Sequence, residues 1–528
     1  MTVTGFYWLG SRNQKRGALL WLTVASLVFY AWWRPVNLLI LLLSVCVNFL
    51  LGRIIRNRLL ANLSMTKPLL AGILFNVLLL GFFKYTNFFI ENLNFVFHQD
   101  IPGRSIVLPL AISFFTFTQI AYLIDCSQDR CAGYNFLDYV LFVSTFPHLI
   151  AGPIVHHRQL ISQFSNQDSF RFRPRSFALG CTIFLVGLFK KAVLADHLAL
   201  FANTVFSLAS HRFPLTAGEA WTGPLTYTLQ LYFDFSGYSD MAIGSALLFN
   251  LVLPLNFNSP FRAVNVIDFW NRWHMTLTRF LTDYVYNPIV LSITRRRLAA
   301  GKKLMSRTSL DIEPFMVLVA FPMLVTMFVS GVWHGAGWQF IIFGMLHGSY
   351  LVINHAWHQV QRRMGQDPSQ SSKAGRQVAR LATLMAVMIA MVFFRAPDVK
   401  TAWFLIRSMF GSHGLSLPHG MAAHAAFLKA LGIQFRGFVT PESGLNTNEV
   451  LPWTISLFAI AWFVPNLYYW IQDHTTDFQL PSGDVFASWW KAFRWQPSIP
   501  WAVSTAVLGV VAVLSMLSGV REFLYFQF

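Results

Sequence analysis

Apolar residues fall in long runs separated by short polar or basic stretches over most of the chain. Runs long enough, or nearly so, to cross a bilayer lie at about 18–34, 36–51, 68–83, 105–124, 136–151, 177–206, 222–253, 314–333, 336–357, 379–394, 451–472 and 500–519, since a helical crossing takes roughly 20 apolar residues. Strict alternation of polar and apolar positions is sustained nowhere, so these runs predict helices and not barrel strands. The predicted fold class is all-α: a polytopic membrane protein of about 11–12 transmembrane helices, a single domain over 1–528 with its core motifs within 105–360. Pro109, Pro147, Pro153 and Pro288 interrupt apolar stretches, and irregular backbone at that depth is tolerated only where protein or a water-filled cavity covers it. Between 261 and 290, Trp270, Phe280 and Tyr286 mix with Arg262, Asp268, Arg272, Arg279 and Asp283, which predicts re-entrant or interfacial helices. The stretch 364–378 reads as a polar loop, and 411–450 as a longer extramembrane or re-entrant excursion.

Composition agrees with the pattern. Of the residues, 55% are apolar and only 12% charged, against roughly a quarter charged in soluble domains, so a water-soluble globule and a disordered chain are both excluded. Aromatic residues at 16%, with 52 Phe and 18 Trp, suit lipid-facing helices with interfacial belts. The net charge of +18 sits in clusters between the runs, at Arg12–Arg16, Arg53–Arg58, Arg171–Arg175, Arg295–Arg307 and Arg362–Arg380. That is the positive-inside pattern and assigns most clusters to the cytoplasmic side; no nucleic acid is implied. Cys46, Cys126, Cys131 and Cys181 have no CxxC spacing and point neither to a disulfide framework nor to zinc. The opening MTVTGFYWLG carries no cleavable signal pattern.

Ionisable groups inside apolar stretches are costly and mark functional candidates. Three places stand out: Ser330 to Trp338 (SGVWHGAGW), with His347 thirteen residues beyond His334; Asp268 to His274 (DFWNRWH); and Gln230 to Asp240 (QLYFDFSGYSD). A histidine of near-neutral pKa can take a proton from a hydroxyl and return one later, as acyl transfer to an alcohol requires. His334 has that chemistry, or else bonds one helix to another. Gly331, Gly335 and Gly337 would admit a close backbone approach or a helix break. Asp234 and Asp240 read more readily as buried partners of Lys or Arg. His355 and His358 lack a third ligand at helical spacing, so no metal is expected. The absence of a Gly-x-Ser-x-Gly elbow, a Walker loop and HExxH leaves a soluble-type hydrolase or an ATP-driven pump without support.

The segments FPHLIAGPIVHHRQL (146–160), QLYFDFSGYSDMAIG (230–244), FWNRWHMTLTRFLTDYVY (269–286), GVWHGAGW (331–338) and the terminal FLYFQF (523–528) resemble the membrane-bound O-acyltransferase family. LPLAISFFTFTQIAYLID (108–125) and ASLVFYAWW (25–33) resemble its alginate O-acetylation branch, so the likeness covers nearly the whole chain. Relatives in that branch usually open with a further apolar segment ahead of the stretch equivalent to Arg12–Trp33, where this chain has eleven residues.

The resemblance implies helices around a central tunnel, with His334 in the place of the family's histidine and His274 in a second polar cluster. It implies acetyl-CoA as the cytoplasmic acyl donor, consumed as a substrate with no permanently bound cofactor. It further implies residence in the bacterial inner membrane, an exported polysaccharide such as alginate or cellulose as acceptor, association with the exopolysaccharide synthesis and export complex, and a periplasmic SGNH-hydrolase-like subunit that takes the acetyl group onward. On this reading His334 and His274 are the catalytic residues, with Asn271, Trp333, Asp240, Ser239, Gln230 and Arg272 toward the substrate. His334 acts as general base, and the thioester carbonyl sits near Asn271 or His274. Lys302, Lys303 and Arg295–Arg297 attract donor phosphates or are simply solvated. Two rivals remain: D-alanyl-type transfer from a carrier protein, and a conduit whose partner does the chemistry.

Overall fold

The computed structural model describes residues 1–131, 133–305, 311–367, 372–417, 419–423, 426–435, 437, 447–472 and 488–518. The terminal FLYFQF, Arg307 of one basic cluster and parts of the 364–378 and 411–450 stretches lie outside the described residues. The described chain is built of helices; its one β feature is an isolated bridge between Ser416 and Gln434. The all-α expectation holds.

Six described helices are long and apolar enough to cross a membrane: Pro35–Leu60, Thr66–Phe97 (here α1), Pro174–Ser210, Ile312–His334, Lys373–Arg395 and Ile499–Leu517. Lys15–Trp33, Ala217–Leu247 and Trp338–Arg363 have the length but are less uniformly apolar. The chain is a multi-pass membrane protein. The remaining elements that carry the site are α2 (Ile112–Ser127), α3 (Ala217–Leu247), α4 (Met275–Leu281), α5 (Ile312–His334), α6 (Trp338–Arg363) and α7 (Lys373–Arg395).

Helix α3 starts where its sequence says it should. Thr216 is the N-cap and Glu219 reaches back to the Thr216 amide at 2.8 Å, the reciprocal arrangement that satisfies two otherwise unpaired donors. Nearly every residue of α3 is buried, and Pro174–Ser210 packs along it. Gly180 meets Gly244 and Gly187 meets Gly237, with a Cβ at any of the four running into the facing backbone. Within lipid, small residues at such a seam allow the close backbone approach that dispersion contacts need. Where this helix pair passes Lys190–Ala195, the chain takes a π turn. There Lys190 pairs with Asp240 and Lys191 with Asp234, each at 2.6 Å. The carboxylates in the middle of α3 are therefore tied into the helix seam.

Region 261–290 opens with two short pieces, Pro260–Arg262 and Val266–Trp270, consistent with re-entrant segments, and continues in a helix that runs from α4 through the π turn Thr282–Tyr286 to Ala299 and is not among those apolar enough to cross a membrane. Cys126 and Cys131 form a local disulfide, Cα–Cα 4.8 Å, a pairing that the sequence did not suggest because the two lie in different surroundings, one at a helix end and one in a loop.

Candidate active site

Helix α5 ends at His334, and the next residue, Gly335, is extended (φ −164°) before α6 begins at Trp338. The helix breaks at Gly335, not Gly331. Gly331 stays helical and lets α5 lie against Gly344 of α6. Because α5 runs unbroken from Ile312, about 22 residues at 1.5 Å each place His334 roughly 33 Å from its start, at the far end of a membrane crossing.

His334 is half-buried among aromatic rings, with centroids 4.9 Å from Trp333, 5.7 Å from Phe343 and 5.0 Å from Phe394. Two further histidines share these neighbours. His274, 1% exposed, lies 6.3 Å from the Trp333 ring. His347, fully buried, lies 4.7 Å from Phe343. The structure thus brings His334, His274 and Trp333 together and adds His347.

The tautomers of the two flanking histidines follow from their partners. His274 Nδ1 is 2.9 Å from Asn256 Oδ1. That asparagine atom also faces the Thr276 backbone N–H at 3.4 Å, and a backbone N–H only donates. The atom is therefore the oxygen, His274 Nδ1 carries the proton, and the neutral ring presents Nε2 as an acceptor. Asn256 is itself fixed, accepting from Thr276 Oγ1 at 2.8 Å and donating to Ser239 Oγ at 3.1 Å. In His347 the polarity is reversed: the Trp270 indole N–H points at Nδ1 at 3.3 Å, so Nε2 of the neutral ring carries the proton. Both Nε2 atoms are buried without a hydrogen-bond partner among the described residues. An unmet buried polar atom costs about 1–3 kcal/mol, which makes these nitrogens candidates for contact with a bound molecule. His274 also holds a left-handed backbone (φ 43°, ψ 51°) at the start of α4, a conformation costing about 1–3 kcal/mol that proteins retain mainly at functional positions.

The other candidates are placed differently. Trp333 is buried, stacked on Phe117 at 5.1 Å. Ser239 is tied to His274 through Asn256. Asp240 is held by Lys190 and by the Tyr468 hydroxyl at 2.7 Å; Arg272 pairs with Asp268 at 2.7 Å; both are committed within the protein. Asn271 is exposed. Gln230 is buried earlier on α3 with Oε1 unpaired. Sequence reasoning missed Asn256 and gave His347 no role. The available signal for Asn256 was the pair of asparagines in LPLNFNSP, Asn256 and Asn258, both buried.

A line of rings leads away from the histidines. Trp333 stacks on Phe117, Phe117 on Phe280 at 4.6 Å, and Phe280 meets Tyr284 at 4.9 Å. Tyr284 borders a cavity of about 280 Å³ with Arg158, Arg279 and Arg130. Arg130 and Asp283 are shared with a larger cleft of about 840 Å³ whose wall includes Arg295 and Arg296. Arg297 is turned away, paired with Glu313 and the Lys303 carbonyl. The Tyr284 hydroxyl donates to Asp125, which also binds His157 at 2.9 Å. Burial and the Arg279 charge push His156 down to about 4, so at neutral pH the cleft's positive charge comes from its arginines.

Residues 105–304 match the family model described as MBOAT, membrane-bound O-acyltransferase family. A protein of Helicobacter pylori named "Peptidoglycan O-acetyltransferase" is 40% identical over 78% of this chain and 77% of its own length. The chain belongs to the membrane-bound O-acyltransferase family. It is accordingly an O-acyltransferase, as the motifs implied. Other members are similar over comparable or smaller stretches. The Pseudomonas aeruginosa protein named "Probable alginate O-acetylase AlgI" is 36% identical over 77% of this chain and 72% of its own. The "Teichoic acid D-alanyltransferase" of Streptococcus thermophilus is 25% identical over 57% of this chain and 71% of its own.

Proposed function

We propose that this O-acyltransferase moves acetyl groups from acetyl-CoA at the cytoplasmic face of the bacterial inner membrane to a hydroxyl at the outer face, for O-acetylation of an exported glycan. The observation that carries the reading is the half-buried His334 at the far end of a membrane crossing, flanked by two neutral histidines whose Nε2 atoms have no partner among the described residues.

In this mechanism the His334 ring takes the proton of the acceptor hydroxyl as its oxygen attacks the thioester carbonyl. The tetrahedral intermediate collapses with cleavage of the C–S bond, the acetyl group stays on the acceptor oxygen, and the departing thiolate recovers the proton. A general base at this step contributes about 10²–10⁴-fold. The His347 Nε2–H is a donor suited to the oxygen that becomes negative in the intermediate, and the His274 Nε2 is an acceptor suited to orienting the incoming hydroxyl. The arginine-lined cleft suits the donor's phosphates, because exposed arginine clusters mark the cytoplasmic side and guanidinium groups bind phosphate oxygens. The ring line from Tyr284 to Trp333 lies between that cleft and His334.

The named relatives favour a glycan acceptor. Their names specify peptidoglycan and alginate, and the final acceptor proposed here is a sugar hydroxyl of that class, alginate-like polysaccharide or cellulose included. Association with an exopolysaccharide synthesis and export complex, and with a periplasmic SGNH-hydrolase-like subunit as onward carrier, belongs to the same proposal. The test is transfer from labelled acetyl-CoA by the purified protein in nanodiscs, with alginate oligomers and peptidoglycan fragments as separate acceptors, comparing wild type with His334→Ala. Donor consumption by wild type and none by a folded His334→Ala supports the reading. Equal activity of the two removes His334 as the base. Turnover only with an acylated carrier protein replaces acetyl-CoA as donor.

A further inference from the structure

Helix α1 contains a π turn, Gly81–Tyr85, inside its apolar length. Such one-residue expansions of the helical ladder occur mainly at functional sites, and this one turns two polar side chains toward the end of α5. The Lys84 ammonium donates to the carbonyls of Trp333 and His334 at 2.6 and 3.0 Å, and the Tyr85 hydroxyl donates to the carbonyl of Val332.

The last carbonyls of a helix have no partner within the helix, and within a membrane no water stands ready to serve them. Gly335 is extended and contributes no capping N–H. The usual solution of a glycine turn with backbone bonds is thus missing at the one helix end that carries His334, and a different helix supplies the donors. The same stretch of α1 holds the other side of the break: Asn92 accepts from the Trp338 indole N–H at 2.9 Å, and Phe88 lies 6.0 Å from the Trp338 ring. Residues 84–92 therefore bracket the His334–Trp338 segment from both sides.

Lys84 also differs from the other lysines at membrane depth. Lys190 and Lys191 each pair with aspartates. Among the described residues no carboxylate lies within ion-pair distance of Lys84; its partners are the two carbonyls. A half-buried amine that donates to the last carbonyls of a helix satisfies that end, and an ionisable group at such depth marks a functional candidate.

We propose that Lys84 and Tyr85 are positioning residues for His334: their three hydrogen bonds fix the carbonyl end of α5 and hence the ring's direction toward the acyl group. The inference rests on the acyl-transfer reading above, and its test separates the two. In nanodiscs, Lys84→Met, Lys84→Arg and Tyr85→Phe are assayed with labelled acetyl-CoA, each alone and in the His334→Ala background. Misplacing a catalytic group by about 1 Å costs roughly 10²-fold, so Lys84→Met lowers kcat by about that factor with the donor KM unchanged. Lys84→Arg recovers most of the rate, and Tyr85→Phe gives a smaller loss. Any residual turnover in the His334→Ala background is not lowered further by Lys84→Met, because the group it positions is gone. Hydrogen exchange at the amides of 335–338 rises in Lys84→Met whether or not an acceptor has been found. Wild-type kcat with unchanged exchange in Lys84→Met overturns the inference while leaving the His334 reading intact. Wild-type activity of His334→Ala overturns that reading instead. If Lys84→Met does not assemble, Tyr85→Phe carries both readouts, and a wild-type result in each overturns the inference.

Discussion

Helix α3 touches two groups of buried polar residues that are satisfied in opposite ways. On the side facing Pro174–Ser210, Asp234 and Asp240 are matched by Lys191 and Lys190, with Tyr468 added to Asp240. On the side reached through Ser239, Asn256 fixes His274, and the imidazole nitrogen left over has no partner among the described residues. Both groups are polar where the sequence is apolar, and only the bonding separates them. Matched charges hold two helices in register; neutral rings with an unmatched nitrogen keep hydrogen-bonding capacity for something that arrives.

This contrast makes opposite predictions for activity and stability. Within these two groups the largest effect is expected at His274: His274→Leu removes the oriented acceptor and lowers transfer by roughly 10²-fold or more, while the thermal midpoint in detergent stays at or above wild type because an unmet polar atom is lost. Asp240→Ala is expected to do the reverse. Leaving Lys190 unpaired costs about 3–5 kcal/mol of stability, read as a lowered thermal midpoint, whereas Lys190→Met with Asp240→Leu returns most of it and keeps turnover. Asn256→Ala frees the His274 tautomer without removing the ring, and the expected loss in kcat is smaller, about 10–100-fold, with a lowered thermal midpoint because Ser239 and Thr276 lose their buried partner. The smallest effect is at the cleft. Arg295→Ala and Arg296→Ala each raise the KM for acetyl-CoA by at most about fivefold, in line with about 0.2–1 kcal/mol for exposed charge pairs, and the effect shrinks at high salt. A kcat loss at either arginine would break the separation between docking and chemistry.

Much of the contrast was legible in the sequence because cost is legible. His334, His274 and the α3 carboxylates interrupt apolar runs, and the preference for a pairing role at Asp234 and Asp240 came from their charge alone. The helical runs were equally plain, since a period near 3.6 and length suffice for them. What could not be read was the set of partners, because each lies far along the chain. Lys84 is about 250 residues from His334, and it read as the flank of a run ending at 83, whereas the helix continues through a π turn to Phe97. Asn256 sits in an irregular segment with no periodicity to say which way it points. His347 was visible but carried no sign of its tautomer until Trp270 was placed beside it.

The most direct measurement takes acyl transfer and thermal unfolding on the same nanodisc preparations of two variants, His334→Gln and the Lys190→Met/Asp240→Leu pair. The account predicts a His334→Gln protein that unfolds like wild type and transfers no acetyl group, and a paired variant that still transfers. Wild-type transfer by His334→Gln, or a folded but inactive paired variant, would contradict it.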